Sequence, residues 1–268
     1  MNGFNVLQIA PGIYDVLDAG MSSFYLVEGN EKTAVIDTGI TPEASIMPLI
    51  RQYTSKPVIL ALTHAHIDHW YHMDEFETVY MCHDELTMPE TFLTEMMGGK
   101  KLKPERTLDI RTGSVIDLGG TSLEVCQVPG HTPGSVVFLE KRGNHLFTGD
   151  AIGSGYGVWM QTPTAIPLDQ YYVSLTHLLA WLVERGGRMA FHGGHRYQMF
   201  QSTAIPGFNP PSLGLLCDLI DLVDQVVTGQ IVGRTSHVDK VMELKPPLYA
   251  SYGRAELQYM PDRITAAI

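Results

Sequence analysis

The run 63–69, Thr-His-Ala-His-Ile-Asp-His, constrains this chain most, because it puts three imidazoles and one carboxylate side by side. The preceding run, 57–62, is short, apolar and opened by proline, which predicts a buried strand. The cluster thus begins where a core strand ends, and strand ends are where open α/β sheets place their sites. Histidine and aspartate are ligands for Zn²⁺ and similar metals, and four such groups would be costly to bury without a cation. The run predicts a metal-binding loop.

The bulk properties of the chain exclude several classes of partner. A formal net charge of −11 argues against a general affinity for nucleic acid or for an anionic membrane, so we expect neither. Cys82, Cys126 and Cys217 are odd in number and widely spaced, which predicts reduced thiols in a cytoplasmic protein. No signal peptide is visible in residues 1–6, and the uncharged run 151–168 is too polar to span a bilayer.

Two sets of strands, each followed by a helix, are predicted along the 268 residues. The first set has four short strands before a helix that opens at Thr41 and Pro42; the second has five strands before helices at 168–185 and 211–227. A short strand pair near 238–243 and 255–260 closes the chain. We predict one domain, 1–268, with halves of about 1–103 and 104–268, in which two sheets pack face to face with helices outside.

Three later segments each offer a metal ligand in a loop that follows a strand. His131 lies in the turn Pro-Gly-His-Thr-Pro-Gly at 129–134, Asp150 ends the run Thr-Gly-Asp, and His195 follows Gly194. Proline and glycine on both sides of His131 fix a tight turn that aims one imidazole at a fixed point. Each segment alone is a weak signal, but in this order after the first loop they form a strong one.

These motifs together resemble the metallo-β-lactamase-fold hydrolase superfamily: His-x-His-x-Asp-His at 64–69, then the motifs at 129–134, 148–150 and 194–195. The resemblance implies an α+β fold, a four-layer αββα sandwich with a dinuclear metal centre at one edge of its sheets. It assigns the ligands in two groups with a bridge. One metal takes His64, His66 and His131, the second takes Asp68, His69 and His195, and Asp150 lies between them.

The residues support this division independently. His64 and His66 alternate with Ala65, so in an extended segment both rings point the same way. Seven ligands are too many for one tetrahedral zinc and suit two divalent ions, with zinc expected first and iron or manganese as alternatives. Asp37, in the run Asp-Thr-Gly, is the expected acceptor behind the ligand imidazoles.

The expected chemistry is attack of a metal-bound hydroxide on the carbonyl of a lactone, ester, thioester or amide, with Asp68 and Asp150 as catalytic carboxylates. The resemblance favours a glyoxalase II-like or lactonase-like branch, because Asp150 departs from true β-lactamases. Phosphodiesterase or nuclease activity is disfavoured by the acidic charge. A different class stays open: a mononuclear iron dioxygenase that acts on glutathione persulfide uses a similar ligand set.

The small-molecule substrate is expected in a partly apolar pocket beside the metals. Trp70, Tyr71 and Met73 follow His69, and the loop 151–168 carries further aromatic and apolar residues, so we expect these side chains to wall the pocket. The loop residues are Tyr156, Trp159 and Met160. Tyr156 is also a candidate catalytic residue, because it or Tyr71 could stabilise the oxyanion. The Met-rich segment 84–97 could be a lid or core, and the segment 200–227 could cover the site or form a homodimer contact.

Overall fold

The computed structural model describes residues 3–41, 45–94, 100–235 and 246–266. Its strands are β1 (Asn5–Ala10), β2 (Ile13–Leu17), β3 (Ser23–Glu28), β4 (Thr33–Ile36), β5 (Val58–Ala61), β6 (Val79–Met81), β7 (Thr107–Asp109), β8 (Val115–Asp117), β9 (Ser122–Gln127), β10 (Val136–Glu140), β11 (His145–Gly149), β12 (Val158–Met160), β13 (Ala190–Gly193), β14 (Arg234–Thr235), β15 (Leu248–Tyr252) and β16 (Ala255–Tyr259). Its α-helices are α1 (Met47–Ile50), α2 (Ile67–Trp70), α3 (Glu90–Thr94), α4 (Leu168–Glu184) and α5 (Leu213–Val227).

The first sheet contains β1 to β7 in sequence order. It is antiparallel from β1 to β4 and parallel from β4 to β7, so β5 lies between two parallel neighbours. The predicted metal loop leaves the carboxyl end of β5. β7 follows the predicted division at residues 103 and 104, yet it pairs with β6 and so belongs to the first sheet.

The second sheet has the order β13-β11-β10-β9-β8. β11 and β13 are parallel, and their last residues, Gly149 and Gly193, are register partners. Because parallel strands end at the same edge of a sheet, Asp150 and His195 emerge side by side. A Cβ at Gly194 would collide with Asp150 Oδ1, which explains why glycine precedes the histidine there.

Three apolar layers hold the fold together. The middle layer lies between the two sheets and includes Ile36, Ala61, Val136 and Phe147, all fully buried. A second layer packs α1 against the outer face of the first sheet. A third packs α4 against the outer face of the second sheet and α5 against α4, β15 and β16. This order of helix, sheet, sheet and helix confirms the predicted α+β αββα sandwich.

A third sheet, β12-β16-β15-β14, differs from the predicted closing strand pair. β16 confirms the strand near 255–260, but its antiparallel partner is β15. The other predicted strand, 238–243, lies outside the described residues. β16 also pairs in parallel with β12, with Trp159 opposite Gln258, so the C-terminal part of the chain supports the loop that follows Asp150.

Two predicted helices are shorter than expected. The helix expected to open at Thr41 is the single turn α1, whose N-cap is Ile46, and Pro42 lies outside the described residues. The described part of the segment 84–97 divides into a 3₁₀ turn, His83–Thr87, and the short α3, because Pro89 between them interrupts helical hydrogen bonding. Residues 95–97 lie outside the described residues. No helix within the four described ranges combines the length and apolar character needed to cross a bilayer.

Candidate metal centre

One loop supplies four of the seven predicted ligands because its backbone changes direction at His66. That residue is extended, with φ −77° and ψ 145°, and α2 begins directly after it. His64 and His66 therefore lie on an extended segment, whereas Asp68 and His69 lie on the helical turn. Asp68 and His69 thus leave the loop from a different backbone conformation, yet the centroids of the His64 and His69 rings lie only 4.1 Å apart.

The structure brings all seven predicted ligand side chains together. His64, His66 and His131 offer ligand atoms within 4.8 Å of one another, and we call them the three-histidine half-site. Asp68, His69 and His195 do the same, and we call them the mixed half-site.

Asp150 lies between these half-sites. Its Oδ2 is 3.2 Å from His195 Nε2, 3.7 Å from His131 Nε2 and 3.8 Å from His69 Nε2. The carboxylate therefore faces imidazoles of both half-sites.

Each ligand imidazole uses one nitrogen in a hydrogen bond with the protein and leaves the other for the centre. Nδ1 of His64 is hydrogen-bonded to Thr63 Oγ1 at 3.1 Å, and Nδ1 of His131 is hydrogen-bonded to the Trp159 carbonyl at 2.8 Å. In His66 the roles are exchanged, because Thr164 Oγ1 lies 3.0 Å from Nε2 and leaves Nδ1 free. Such partners fix the ring orientation and the tautomer of metal-binding histidines.

Asp37 lies behind both half-sites, where the sequence placed it. Its Oδ2 accepts hydrogen bonds from His69 Nδ1 at 3.0 Å and Thr63 Oγ1 at 2.7 Å, and its Oδ1 accepts one from the Thr63 amide at 2.8 Å. Asp37 has a φ of 62°, a left-handed conformation that aspartate tolerates better than most residues. The carboxylate links the loop residue beside His64 to the ring of His69.

Electrostatics divides the two half-sites. Burial lowers the pKa of His64 well below its usual value and that of His66 to about 3, and it also lowers the pKa of His131. Neighbouring imidazoles lower the pKa of all three further. These histidines are therefore neutral, which is the form that binds metal.

The mixed half-site is charged instead. Burial lowers the pKa of His69, but the carboxylates of Asp68 and Asp37 outweigh that effect and hold it well above the usual value. Burial also opposes charge on His195, yet Asp150 and Asp68 raise its pKa to about 9. The pKa of Asp68 and that of Asp150 are correspondingly lowered by these imidazoles against the effect of burial. The carboxylates of the mixed half-site therefore require compensating positive charge.

The donor set fits divalent metal ions. Nε2 of His64, of His69 and of His131, and Oδ1 of Asp150, are buried without a hydrogen-bond partner. A buried polar atom left unpaired costs roughly 1–3 kcal/mol, so four of them in one cluster are unfavourable in a site that serves only for packing. Imidazole nitrogens and carboxylate oxygens in two groups match the preferences of zinc and of iron.

A cavity of about 290 Å³ opens beside these atoms, and five of the seven ligands line it: His66, Asp68, His131, Asp150 and His195. Much of the remaining wall is apolar, from Ile67, Phe92, Val158 and Trp159, with Tyr197 and Gln198 as polar members. No lysine or arginine is among the described residues that line it.

Most of the predicted pocket residues lie elsewhere, and Trp159 alone among the six lines the cavity. Trp70, Met73 and Met160 are at most 2% exposed and belong to the apolar layers, and Trp70 Nε1 donates to the Ala65 carbonyl. Apolar residues beside a ligand were expected to face the pocket, but the helical turn of α2 rotates Trp70 into the core.

The two predicted tyrosines also lie outside the cavity wall. The Tyr71 ring packs under Lys100 Nζ at 3.8 Å. Tyr156 is half-buried. Burial is the main cause that raises its pKa, and the neighbouring Glu256 and Tyr249 raise it further. Tyr197, two residues after His195, is the tyrosine in the wall, and its proximity to a ligand in sequence could have indicated it.

Other histidines have partners away from the centre. His72 Nδ1 lies 2.9 Å from Glu75 Oε1, and His192 Nε2 lies 2.9 Å from His145 Nδ1. His195, not His192, therefore approaches the carboxylates, in agreement with the glycine that precedes it. Ser22 Oγ, which the sequence did not indicate, donates to Asp68 Oδ2 at 2.9 Å.

Comparisons with known proteins agree with this geometry. The model of the metallo-beta-lactamase superfamily matches residues 17–195, a span that contains all seven ligands. The metallo-beta-lactamase from Pontibacter korlensis has a similar fold, with a TM-score of 0.58 at 19% identity over 81% of this chain and 99% of that one. TTHA1623, solved in a di-iron-bound form, has a TM-score of 0.53 at 25% identity over 80% of this chain and 96% of that one.

Two curated relatives carry hydrolase names. Acyl-coenzyme A thioesterase MBLAC2 of Homo sapiens is 28% identical over 197 residues, which cover 62% of this chain and 69% of that protein. Hydroxyacylglutathione hydrolase of Mesorhizobium japonicum is 30% identical over 130 residues, which cover 46% of each chain. The chain therefore belongs to the metallo-beta-lactamase superfamily, and its relatives indicate a metal-dependent hydrolase.

Proposed function

We propose that this protein hydrolyses the carbonyl bond of a small, partly apolar substrate such as a lactone, ester, thioester or amide, with two divalent metal ions. The observation that carries the proposal is the cluster of unpartnered nitrogen and oxygen atoms beside a largely apolar cavity, which two of their residues, His131 and Asp150, line. Zinc is the first expected metal, and iron or manganese is the alternative.

In this proposal the three-histidine half-site holds one ion, the mixed half-site holds the other, and Asp150 is shared. Bound metal ions would supply Lewis acidity to the substrate carbonyl and lower the pKa of a water molecule toward neutrality. The chain itself supplies the orientation. Each imidazole is fixed from behind, so little reorganisation is needed during reaction.

Asp68 is the proposed proton carrier. Its Oδ2 accepts a hydrogen bond from Ser22 Oγ and lies 3.4 Å from His69 Nε2, whereas the carboxylate also lines the cavity. Oδ1 can then accept a proton from the attacking water and deliver it to the leaving group. Tyr197 replaces Tyr156 in this proposal as the phenol near the substrate.

The cavity wall favours uncharged, partly apolar substrates. Phosphate recognition commonly relies on arginine or lysine, and neither lines the cavity in the part of the chain that the structure describes. Phenylalanine, valine and tryptophan instead offer an apolar surface to an acyl group. The names of two relatives make thioesters the first class to test.

The test joins metal analysis to a hydrolysis panel. Metal-depleted protein reloaded with zinc, manganese or iron is assayed on thioesters, lactones, phosphodiesters and β-lactams. We expect metal-dependent hydrolysis of a thioester or a lactone. Purified protein that contains no metal and whose hydrolysis rate does not change on adding metal would contradict the proposal. One iron per chain together with oxygen consumption would support the persulfide dioxygenase alternative.

Phe92→Ala tests the cavity in the same assay. Loss of an apolar ring from the wall should raise KM for an apolar acyl substrate by roughly 5- to 20-fold. Tyr156→Phe is the matched control, because that side chain lies outside the wall. Equal effects of the two variants would place the substrate elsewhere.

A further inference from the structure

Glu85 is a fully buried carboxylate that joins two ligand loops. It lies in the 3₁₀ turn His83–Thr87 after β6. Its Oε2 accepts a hydrogen bond from the Ala65 amide at 2.8 Å. Its Oε1 accepts one from Thr132 Oγ1 at 2.6 Å and one from the Gly134 amide at 2.6 Å.

These donors lie between or beside the ligands of one half-site. Ala65 separates His64 from His66, and Thr132 follows His131. One carboxylate thus connects the two loops that carry all members of the three-histidine half-site. The connection is tight, because a Cβ at Gly134 would lie only 2.6 Å from the Glu85 amide nitrogen.

Glu140 shows what such a carboxylate does away from the centre. It is also fully buried, and it accepts hydrogen bonds from Thr121 Oγ1, from the Arg142 amide at 3.1 Å and from the Gly143 amide at 2.7 Å. Its hydrogen-bond donors match those of Glu85 in kind, and Arg142 Nε lies 3.7 Å from its Oε1. These partners come from the turns β8–β9 and β10–β11, neither of which carries a ligand. Glu140 therefore provides a matched control for a purely structural role.

We propose that Glu85 is a positioning residue that sets the spacing of His64, His66 and His131 and thereby the metal affinity of the three-histidine half-site. The inference rests on the proposed function, because it requires that this half-site binds a metal. Glu85 touches no metal ligand directly and acts through the backbone between and beside them.

Glu85→Gln breaks the connection with almost no change in volume. An amide has only one acceptor oxygen, so its NH₂ group must face either the Ala65 amide or the Thr132 and Gly134 donors. Substituting a group that orients metal ligands typically costs 10–100-fold in metal affinity. We expect this loss at the three-histidine half-site alone.

The experiment is a cobalt(II) titration of metal-free protein at about pH 8, where the Glu85 carboxyl is ionised, with absorbance and a competing chelator giving each dissociation constant. His195→Ala provides a background in which the three-histidine half-site binds the first ion. In that background, Glu85→Gln should weaken the first dissociation constant 10–100-fold, whereas Glu140→Gln should change it less than twofold. Identical constants for these two glutamine variants would overturn the proposal.

A second pair of variants covers the case in which Glu85→Gln does not fold. Thr132→Val removes one donor to Glu85, and Thr132→Ser keeps the hydroxyl. We expect roughly 3- to 10-fold weaker binding with valine and recovery with serine, and equal binding by both would contradict a positioning role. Wild-type protein that binds no cobalt overturns the proposed function itself, whereas normal binding by Glu85→Gln overturns this inference alone.

Discussion

The two half-sites of the metal centre are held in opposite ways. Two threonine hydroxyls and a backbone carbonyl fix the three-histidine half-site, and burial keeps its imidazoles neutral. In the mixed half-site, His69 faces the carboxylates of Asp37 and Asp68, which raise its pKa. The three-histidine half-site depends on hydrogen-bond geometry, whereas the mixed half-site depends on a balance between carboxylate and imidazole charges.

This difference sets the expected response to substitution. Removing a neutral partner forfeits about one hydrogen bond, roughly 0.5–1.5 kcal/mol. Replacing a carboxylate by its amide also changes the charge that the neighbouring imidazoles experience. We therefore expect conservative substitutions to act more strongly in the mixed half-site, and most strongly at Asp150, which faces both.

Asp150→Asn should have the largest effect. Its Oδ2 lies within 4 Å of imidazoles from both half-sites, so the amide removes a charge that both share. We expect loss of at least one bound metal and a fall in kcat/KM of roughly 10³-fold, equivalent to about 4 kcal/mol. Metal analysis and steady-state kinetics check this. Asp221→Asn on the exposed side of α5 is the control, and comparable kinetics in the two variants would contradict a shared role for Asp150.

Asp37→Asn should act next most strongly. Asparagine tolerates the left-handed backbone at this position, so the substitution isolates the change in hydrogen bonding and charge. We expect roughly 10- to 100-fold weaker metal binding, with the larger loss at the mixed half-site. Chelator competition of metal-loaded protein measures it. A larger loss at the three-histidine half-site would reverse the comparison.

Glu85 gives the fold a measurable pH dependence. Burial raises the pKa of Glu85 from 4.5 to about 7, so the folded chain holds this proton more tightly than the unfolded chain. The resulting stability is present below the unfolded pKa and is lost as pH rises through about 7, a change on the order of 1–3 kcal/mol. Glu85→Gln should remove this slope.

Urea unfolding of metal-free protein between about pH 4 and 8 measures that slope. Asp15, whose pKa burial raises to about 6, and the carboxylates of the mixed half-site contribute equally to wild type and variant. The difference between the two proteins therefore isolates Glu85. Parallel curves would show that this carboxyl does not titrate in the range.

Thr164→Val should have the smallest effect. It removes the hydroxyl beside His66 Nε2 at nearly constant volume. We expect a three- to tenfold weaker metal affinity at the three-histidine half-site, in line with about one lost hydrogen bond. Thr176→Val on α4 is the control, and a loss as large as that of Asp37→Asn would remove the distinction between neutral and charged support.

Local sequence signals predicted the two main sheets and the segments that carry the ligand residues, but not the third sheet. His64, His66, Asp68 and His69 lie within six residues of the chain, and each later ligand follows a strand: His131 follows β9, Asp150 follows β11 and His195 follows β13. Strand ends and tight turns can be recognised in the local sequence by residues such as proline and glycine. The αββα order followed from these signals together with the family resemblance.

Contacts between residues far apart in the chain have no such signal in the local sequence. Glu85 is 47 residues from Thr132 in sequence, and a glutamate after a strand has no pattern that reveals a buried partner. The pocket prediction was wrong for Trp70 and Met160 for the same reason. Both are apolar residues near a ligand in sequence, but the direction of each side chain depends on tertiary packing. Phe92 reaches the cavity from α3, which the sequence suggested only as a lid or as core.

The parallel pairing of β12 with β16 has a consequence for the order in which the protein is made. β12 carries Trp159, whose carbonyl holds His131 and whose ring lines the cavity, and among the described strands its sheet neighbour is β16. All seven ligands have been synthesised once His195 has been added, yet β16 lies at Ala255–Tyr259. A nascent chain therefore carries the full ligand set before the wall that orients one of its histidines has its supporting strand.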